Sequence, residues 1–182
     1  MTYYGAPQLA GSFRTVRANT IAIAEEIPEE KYGFKATPDV MSVAQLLAHI
    51  AVAPNWHLDA HSPSGVSHMD MPYFTARREK SAAAEQRLSS KADIVRALKE
   101  DGERFARFLE SLDEGRLSSL VTFPPPLQPA SKTRFEMLLG VKEHEMHHRG
   151  QLMLVQRLLG QVPPLTRRRQ QMQAQTTSAA SR

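Results

Sequence analysis

Positions that share a helical face recur along four stretches of the chain. The first runs from about Ser12 to Ile27, where Phe13, Val16, Thr20, Ile23 and Ile27 line up and Pro28 follows the end. The second opens with Ser42-Val43-Ala44-Gln45, a capping box in which the serine hydroxyl and the glutamine side chain each satisfy a free backbone N–H. Leu46, His49, Ala53 and Trp56 then share one face. Pro54 falls inside this pattern, removes one backbone hydrogen bond and predicts a kink or interruption near Ile50. A connection rich in Ser, Pro, Gly, Met and charge covers about Ser62 to Ser89, with a short helix expected around Phe74 to Glu79. The third helix begins near Ser90, with Asp93 in its first turn and a stripe of Ile94, Leu98, Phe105, Leu109 and Leu112. The segment from Leu117 to Pro129 is proline-rich and predicts one extended stretch, Leu120 to Phe123. The fourth helix starts at a second capping box, Thr133-Arg134-Phe135-Glu136, and carries Met137, Val141, Leu152, Val155 and Leu159. Gly160 suits a left-handed position after its end, and Pro163-Pro164 prevent its continuation.

Four amphipathic helices, little strand and two longer crossings predict an all-α protein, a four-helix bundle with long crossover connections. The bundle is expected over residues 1–164, followed by a flexible basic tail over 165–182. Charge supports that division. From Arg149 onward there are six arginines and no acid, so the overall +4 becomes −2 over residues 1–148. A nucleic-acid binder would more often carry its basic face on the folded body, so nucleic acid is not the expected partner. The chain contains no cysteine, so disulfides, thiolate metal sites and cysteine nucleophiles are excluded and any metal is held by nitrogen or oxygen. Met1 to Gly5 shows no basic stretch leading into an apolar one, and no apolar run approaches the roughly 20 residues that span a bilayer. The expected location is the cytoplasm, with no membrane partner.

Seven histidines must be weighed. His144 and His148 are four apart on the fourth helix, on the stripe defined by Met137, Val141, Leu152 and Val155, so both imidazoles can reach one ion. His147 is turned away from them. No His, Asp or Glu follows His148, so a third ligand must lie upstream. His49 is the best candidate, because it sits on an apolar face where an imidazole is out of place unless something satisfies it. His57, His61 and His68 lie at or beyond the end of that helix and are weaker candidates. The competing reading makes each of these a hydrogen-bonded core histidine. His144-Glu145-Met146-His147-His148 also matches H-E-x-x-H, the zinc-protease motif whose glutamate is the general base. The missing downstream ligand argues against a protease fold; Glu145 remains a candidate catalytic base or a partner of a ligand. Trp56 reads first as core, Arg149 as a partner of a neighbouring acid, and Arg77-Arg78-Glu79-Lys80 as a solvated face.

The chain resembles the DinB/YfiT-like family of four-helix-bundle proteins. The stretches that carry the likeness are Ile27-Pro28-Glu29-Glu30-Lys31, Phe34-Lys35, Ser42 to Ile50, and His144-Glu145-Met146-His147-His148-Arg149-Gly150-Gln151-Leu152. It covers roughly residues 10 to 160. The resemblance implies metal dependence, with ligands at His49, His144 and His148, and a homodimer. It implies no single reaction, since similar proteins include thiol-dependent transferases and isomerases. Three imidazoles with an open coordination position suggest a divalent-metal-dependent enzyme, a transferase or hydrolase acting on a small molecule, with a thiol as cofactor. Zinc and nickel head the list of metals, with iron, cobalt and manganese also admissible. The alternative is a non-catalytic metal-binding module of stress response.

Overall fold

The computed structural model describes residues 4–180. Their helices are α1 (Ala6–Glu26), α2 (Val43–Val52), α3 (Asn55–His61), α4 (Met71–Gln86), α5 (Lys91–Glu110), α6 (Glu114–Ser118), α7 (Arg134–Leu158) and α8 (Pro164–Ala180). Two three-residue strands, β1 (Leu120–Thr122) and β2 (Ser131–Thr133), pair antiparallel with Val121 opposite Lys132. The fold is all-α. Contacts of α1 with α5, α5 with α2, α2 with α7 and α7 with α1 close a ring, which makes these the four helices of a bundle. Among the described residues no helix is long and apolar enough to cross a membrane.

Both expected capping boxes form. Gln45 N–H donates to Ser42 Oγ at 3.2 Å, and Ser42 N–H to the Gln45 side chain at 2.9 Å. Glu136 N–H donates to Thr133 Oγ1 at 3.1 Å, and Thr133 N–H to the Glu136 carboxylate at 2.8 Å. Pro54 separates α2 from α3, as a missing N–H requires. Gly160 has φ 77°, the left-handed conformation that ends α7.

Three differences from the sequence reading matter. First, α1 begins at Ala6 rather than Ser12, with Pro7 in its first turn. Second, the connection before α5 contains α4, sixteen residues long where a short helix over 74–79 was expected. Its N-cap is Asp70, whose carboxylate accepts from Tyr73 N–H at 2.8 Å. No residue of α4 is buried, so it leaves no apolar stripe to read, although its Ala, Arg, Glu and Lys favour helix. Third, the basic tail expected to be flexible forms α8 and packs on α1, where Arg167 pairs with Glu26 and Arg168 donates to Asn19 at 3.2 Å. Pro164 at its start and the Gln, Ala, Met and Arg that follow suit a new helix after the break.

The bundle centre holds a cation. Arg17 of α1 is buried, and its Nε donates to both oxygens of buried Glu145 on α7 at 3.0 Å. Its Nη1 donates to the Leu98 carbonyl of α5 at 3.0 Å and its Nη2 to the Ile50 carbonyl of α2 at 3.2 Å. One side chain thus touches all four bundle helices. Two sequence features make room for it. The helical partner of the Ile50 carbonyl would be the N–H of residue 54, which proline lacks, so that oxygen is free to accept. At Gly102 a Cβ would lie 2.9 Å from Arg17 Cγ, so glycine lets the arginine reach across α5.

A second buried arginine organises the loop end. Arg134 donates to the carbonyls of Ala60 (2.8 Å) and Val66 (2.7 Å) and to His61 Nδ1 (3.1 Å). Burial, aided by Arg134 and Arg116, pushes the His61 pKa down to about 3.

Two outcomes are expected. Glu145→Ala leaves the Arg17 cation buried without its counter-ion and should cost about 3–5 kcal/mol in denaturant unfolding; a loss below about 1 kcal/mol would contradict the proposed tie. His61 is neutral when folded and takes up a proton only on unfolding over the interval from its ordinary 6.5 down to about 3. Its contribution to stability is therefore complete above pH 6.5 and is lost as pH falls through that interval. Melting temperature should drop between pH 7 and 5, and His61→Gln should flatten that slope; parallel slopes would argue against it.

Candidate metal centre

His49 lies on the last turns of α2, and His144 and His148 lie one turn apart on α7. The three imidazoles converge. His49 Nε2 is 3.0 Å from His144 Nε2, which is 3.1 Å from His148 Nε2. Nitrogens that share a tetrahedral ion through bonds of about 2.0–2.1 Å stand about 3.3 Å apart, so the spacing fits a shared ion closely. The three nitrogens form one ligand set within 4.8 Å of each other, and no other such His or carboxylate group occurs among the described residues.

The neighbours of these rings decide their tautomers. His49 Nδ1–H donates to the Glu85 carboxylate at 2.8 Å, and His148 Nδ1–H donates to Gln151 Oε1 at 2.8 Å. With the proton on Nδ1, each Nε2 presents a lone pair to the centre. A hydrogen on His144 Nε2 can serve only one of them, whereas a cation serves all three. Burial lowers the pKa of His144 to about 4 and also depresses that of His148, with the neighbouring histidines adding to both shifts. The rings of His144 and His148 are accordingly neutral and available as ligands near pH 7.

The backbone brings these residues together through Arg17. Two of its three partners, Ile50 and Glu145, each directly follow a cluster histidine, His49 and His144, in sequence. Successive helical residues point in different directions, so Glu145 faces the bundle interior while His144 faces the cluster. Glu145, the candidate base or ligand partner of the sequence, therefore lies on the interior side of α7. It is buried at 2% exposure, both oxygens are engaged by Arg17, and it does not line the cavity beside the histidines. Both of its oxygens thus face the Arg17 guanidinium rather than the cavity.

The remaining histidines separate cleanly. His147 is exposed and lies 3.3 Å from the Gln151 amide; His68 is exposed and bonded to Thr122 Oγ1 at 2.8 Å. His61 is bound to Arg134, and its Nε2 lies 3.2 Å from His57 Nδ1. Neither joins the cluster.

Next to the cluster is a cavity of about 640 Å³, lined among others by His49, His144, Trp56, His57, Phe74 and Arg77. Trp56 therefore forms part of its wall. Arg77 is also drawn in, contrary to its reading as part of a solvated run: its guanidinium stacks 4.1 Å from the Trp56 ring. Glu85, Phe74 and Arg77 all come from α4, the helix with the weakest sequence signal, so no pattern in the sequence pointed to them. Gln151 stands within the quoted His-His-Arg-Gly-Gln run, three residues after His148, a spacing that was available to be read.

Comparison with known proteins agrees with this architecture. No curated protein matches the chain. A solved structure of a DinB-like protein, YjoA from Bacillus subtilis, superposes with a TM-score of 0.63 at 22% identity, over 85% of this chain and 94% of that one. The likeness extends to the fold. The family model described as the DinB superfamily matches residues 12–152, a span that takes in all three clustered histidines. The chain belongs to the DinB superfamily.

Proposed function

We propose that His49, His144 and His148 hold one divalent metal ion and that the protein is an enzyme using it on a small molecule. The observation that carries this reading is the convergence of three Nε2 lone pairs, two of them fixed by the acceptors Glu85 and Gln151. Three nitrogen ligands leave at least one coordination position open, whereas structural zinc sites are usually closed by four protein ligands. A bound ion supplies Lewis acidity there, which activates a water or thiol nucleophile. Within the chain, Glu85 and Gln151 orient two ligand rings, Arg17 holds α2 and α7 in register through the Ile50 carbonyl and Glu145, and Trp56 and Phe74 keep one wall of the cavity apolar. Imidazole donors suit zinc and nickel, and also iron, cobalt and manganese. Thiol-dependent transfer or hydrolysis is the reaction class this supports, with a thiol cofactor and a second copy of the chain as proposed partners.

Metal content checks the assignment. His49→Ala, His144→Ala and His148→Ala should each strip most of the metal, and full occupancy in all three would refute it. Glu85→Gln should weaken metal binding by about 10–100-fold, as expected for loss of a carboxylate that orients a ligating imidazole. Chelation combined with a screen of thiols and electrophiles separates catalysis from the alternative role. A large fall in melting temperature with no turnover under any condition would favour a non-catalytic, stress-related metal module.

A further inference from the structure

Two polar side chains in the cavity wall carry N–H donors that no described residue accepts. His57 is only 7% exposed, and its tautomer is dictated from behind. The Arg134 guanidinium, which can only donate, donates to His61 Nδ1, so the His61 proton sits on Nε2 and is given to His57 Nδ1 at 3.2 Å. The His57 proton is therefore on Nε2. That N–H has no hydrogen-bond partner among the described residues and is not sealed in the core, while the ring lines the cavity beside His144. The second group is Arg77. It makes no hydrogen bond or ion pair with any described residue, and burial lowers its pKa. Its guanidinium carbon lies over the Trp56 ring, 4.1 Å from the centroid, a contact that uses none of its N–H donors for hydrogen bonding. Trp56 also packs against His57, with ring centroids 3.6 Å apart and the planes tilted by 36°, so both donor side chains contact one indole.

The surroundings favour negative charge. Glu85 is the one acid in the cavity lining, and it is engaged by His49; Arg77 and Arg78 are both present. His57, Arg77 and Trp56 also line an adjoining cavity of about 310 Å³, whose wall includes Phe123, Leu127 and Met137. The donors thus stand at a waist, with the histidine cluster on one side and on the other a recess of mostly apolar wall, whose other polar members are Gln128, Lys132 and Glu136, the last engaged by Thr133 at the start of α7.

We propose that the cavity takes a small organic carboxylate, gripped at this waist by the Arg77 guanidinium and the His57 Nε2–H. The apolar part of such a ligand occupies the recess, and its reacting end extends toward the three histidines. This names a substrate class for the site and rests on the metal reading for the direction of the reacting end. Arginine matches a carboxylate with two parallel hydrogen bonds, and the stacked, desolvated fork loses little freedom in making them.

Trp56 is the single tryptophan of the chain, so its fluorescence reports occupancy directly. Benzoate and its neutral isostere benzamide are titrated into the full-length protein, with metal content measured on the same samples. Benzoate should change the Trp56 emission saturably, and benzamide should not. Arg77→Gln should weaken benzoate binding about tenfold or more, the loss expected for a charge-assisted pair, with Arg77→Lys intermediate. His57→Phe keeps the ring against Trp56 but removes the donor and should weaken binding several-fold. Because that change also leaves the buried His61 N–H without an acceptor, Arg77→Gln is the deciding variant. Equal binding of benzoate and benzamide, or wild-type affinity in Arg77→Gln, overturns the proposal. Benzoate binding that ignores Arg77 but vanishes in His144→Ala also overturns it, because the carboxylate would then sit on the metal. Arg77-dependent binding in protein that carries no metal upholds the carboxylate site while the metal reading fails.

Discussion

A guanidinium buried at the centre of the bundle is the constraint on which the rest depends. A guanidinium offers five N–H donors and no acceptor, so burying Arg17 demands a full set of acceptors. Glu145 on α7 and the carbonyls of Leu98 on α5 and Ile50 on α2 supply them. Such a network is poor as a source of net stability compared with well-packed apolar residues, but it tolerates very few alternative alignments. Sliding α2 against α7 by one residue would leave a charge or a carbonyl unmatched. Since Ile50 and Glu145 are the immediate neighbours of His49 and His144, the alignment that satisfies Arg17 is also the one that brings the imidazoles together.

The architecture was largely legible because it rests on local rules. Ser42 with Gln45 and Thr133 with Glu136 mark helix starts through side chains three residues apart, and both form as read. The i, i+4 spacing of His144 and His148 fixes a common face, and an imidazole on the apolar face of α2 signals something to satisfy. What escaped depends on long-range partners. Glu145 shares a motif with the histidines, yet its direction along the helix gives it to an arginine 128 residues away. Arg17 lies next to Val16 on the first apolar stripe, and nothing local shows that three other helices have vacant acceptors for it. Pro54 was read as a break in the helix, whereas its further effect is to free the Ile50 carbonyl for that arginine. α4 has no buried residue, so it carries no periodicity, and with it went Glu85, Phe74 and Arg77. The tail was judged by charge and polarity, but its helix-forming residues lie along α1.

Membership in the DinB superfamily accounts for the bundle and says little about chemistry, since a fold of this kind is a frame on which different sites can be built. The features that bear on chemistry lie around the cluster: a carboxylate behind His49, an amide behind His148, and two donor side chains packed on one indole. Each is fixed by a contact to an element other than its own, or by a partner a turn along the same helix. Preorganisation of this kind reduces the cost of ordering side chains when a ligand arrives.

Crystallographic anomalous scattering from protein purified without metal-affinity resin tests the central claim most directly. One peak per chain is expected, within about 2.0–2.1 Å of the Nε2 atoms of His49, His144 and His148 if the ion is zinc. Metal bound elsewhere, or a cluster that retains three converging imidazoles with no metal in crystals grown from metal-supplemented solution, would contradict the account.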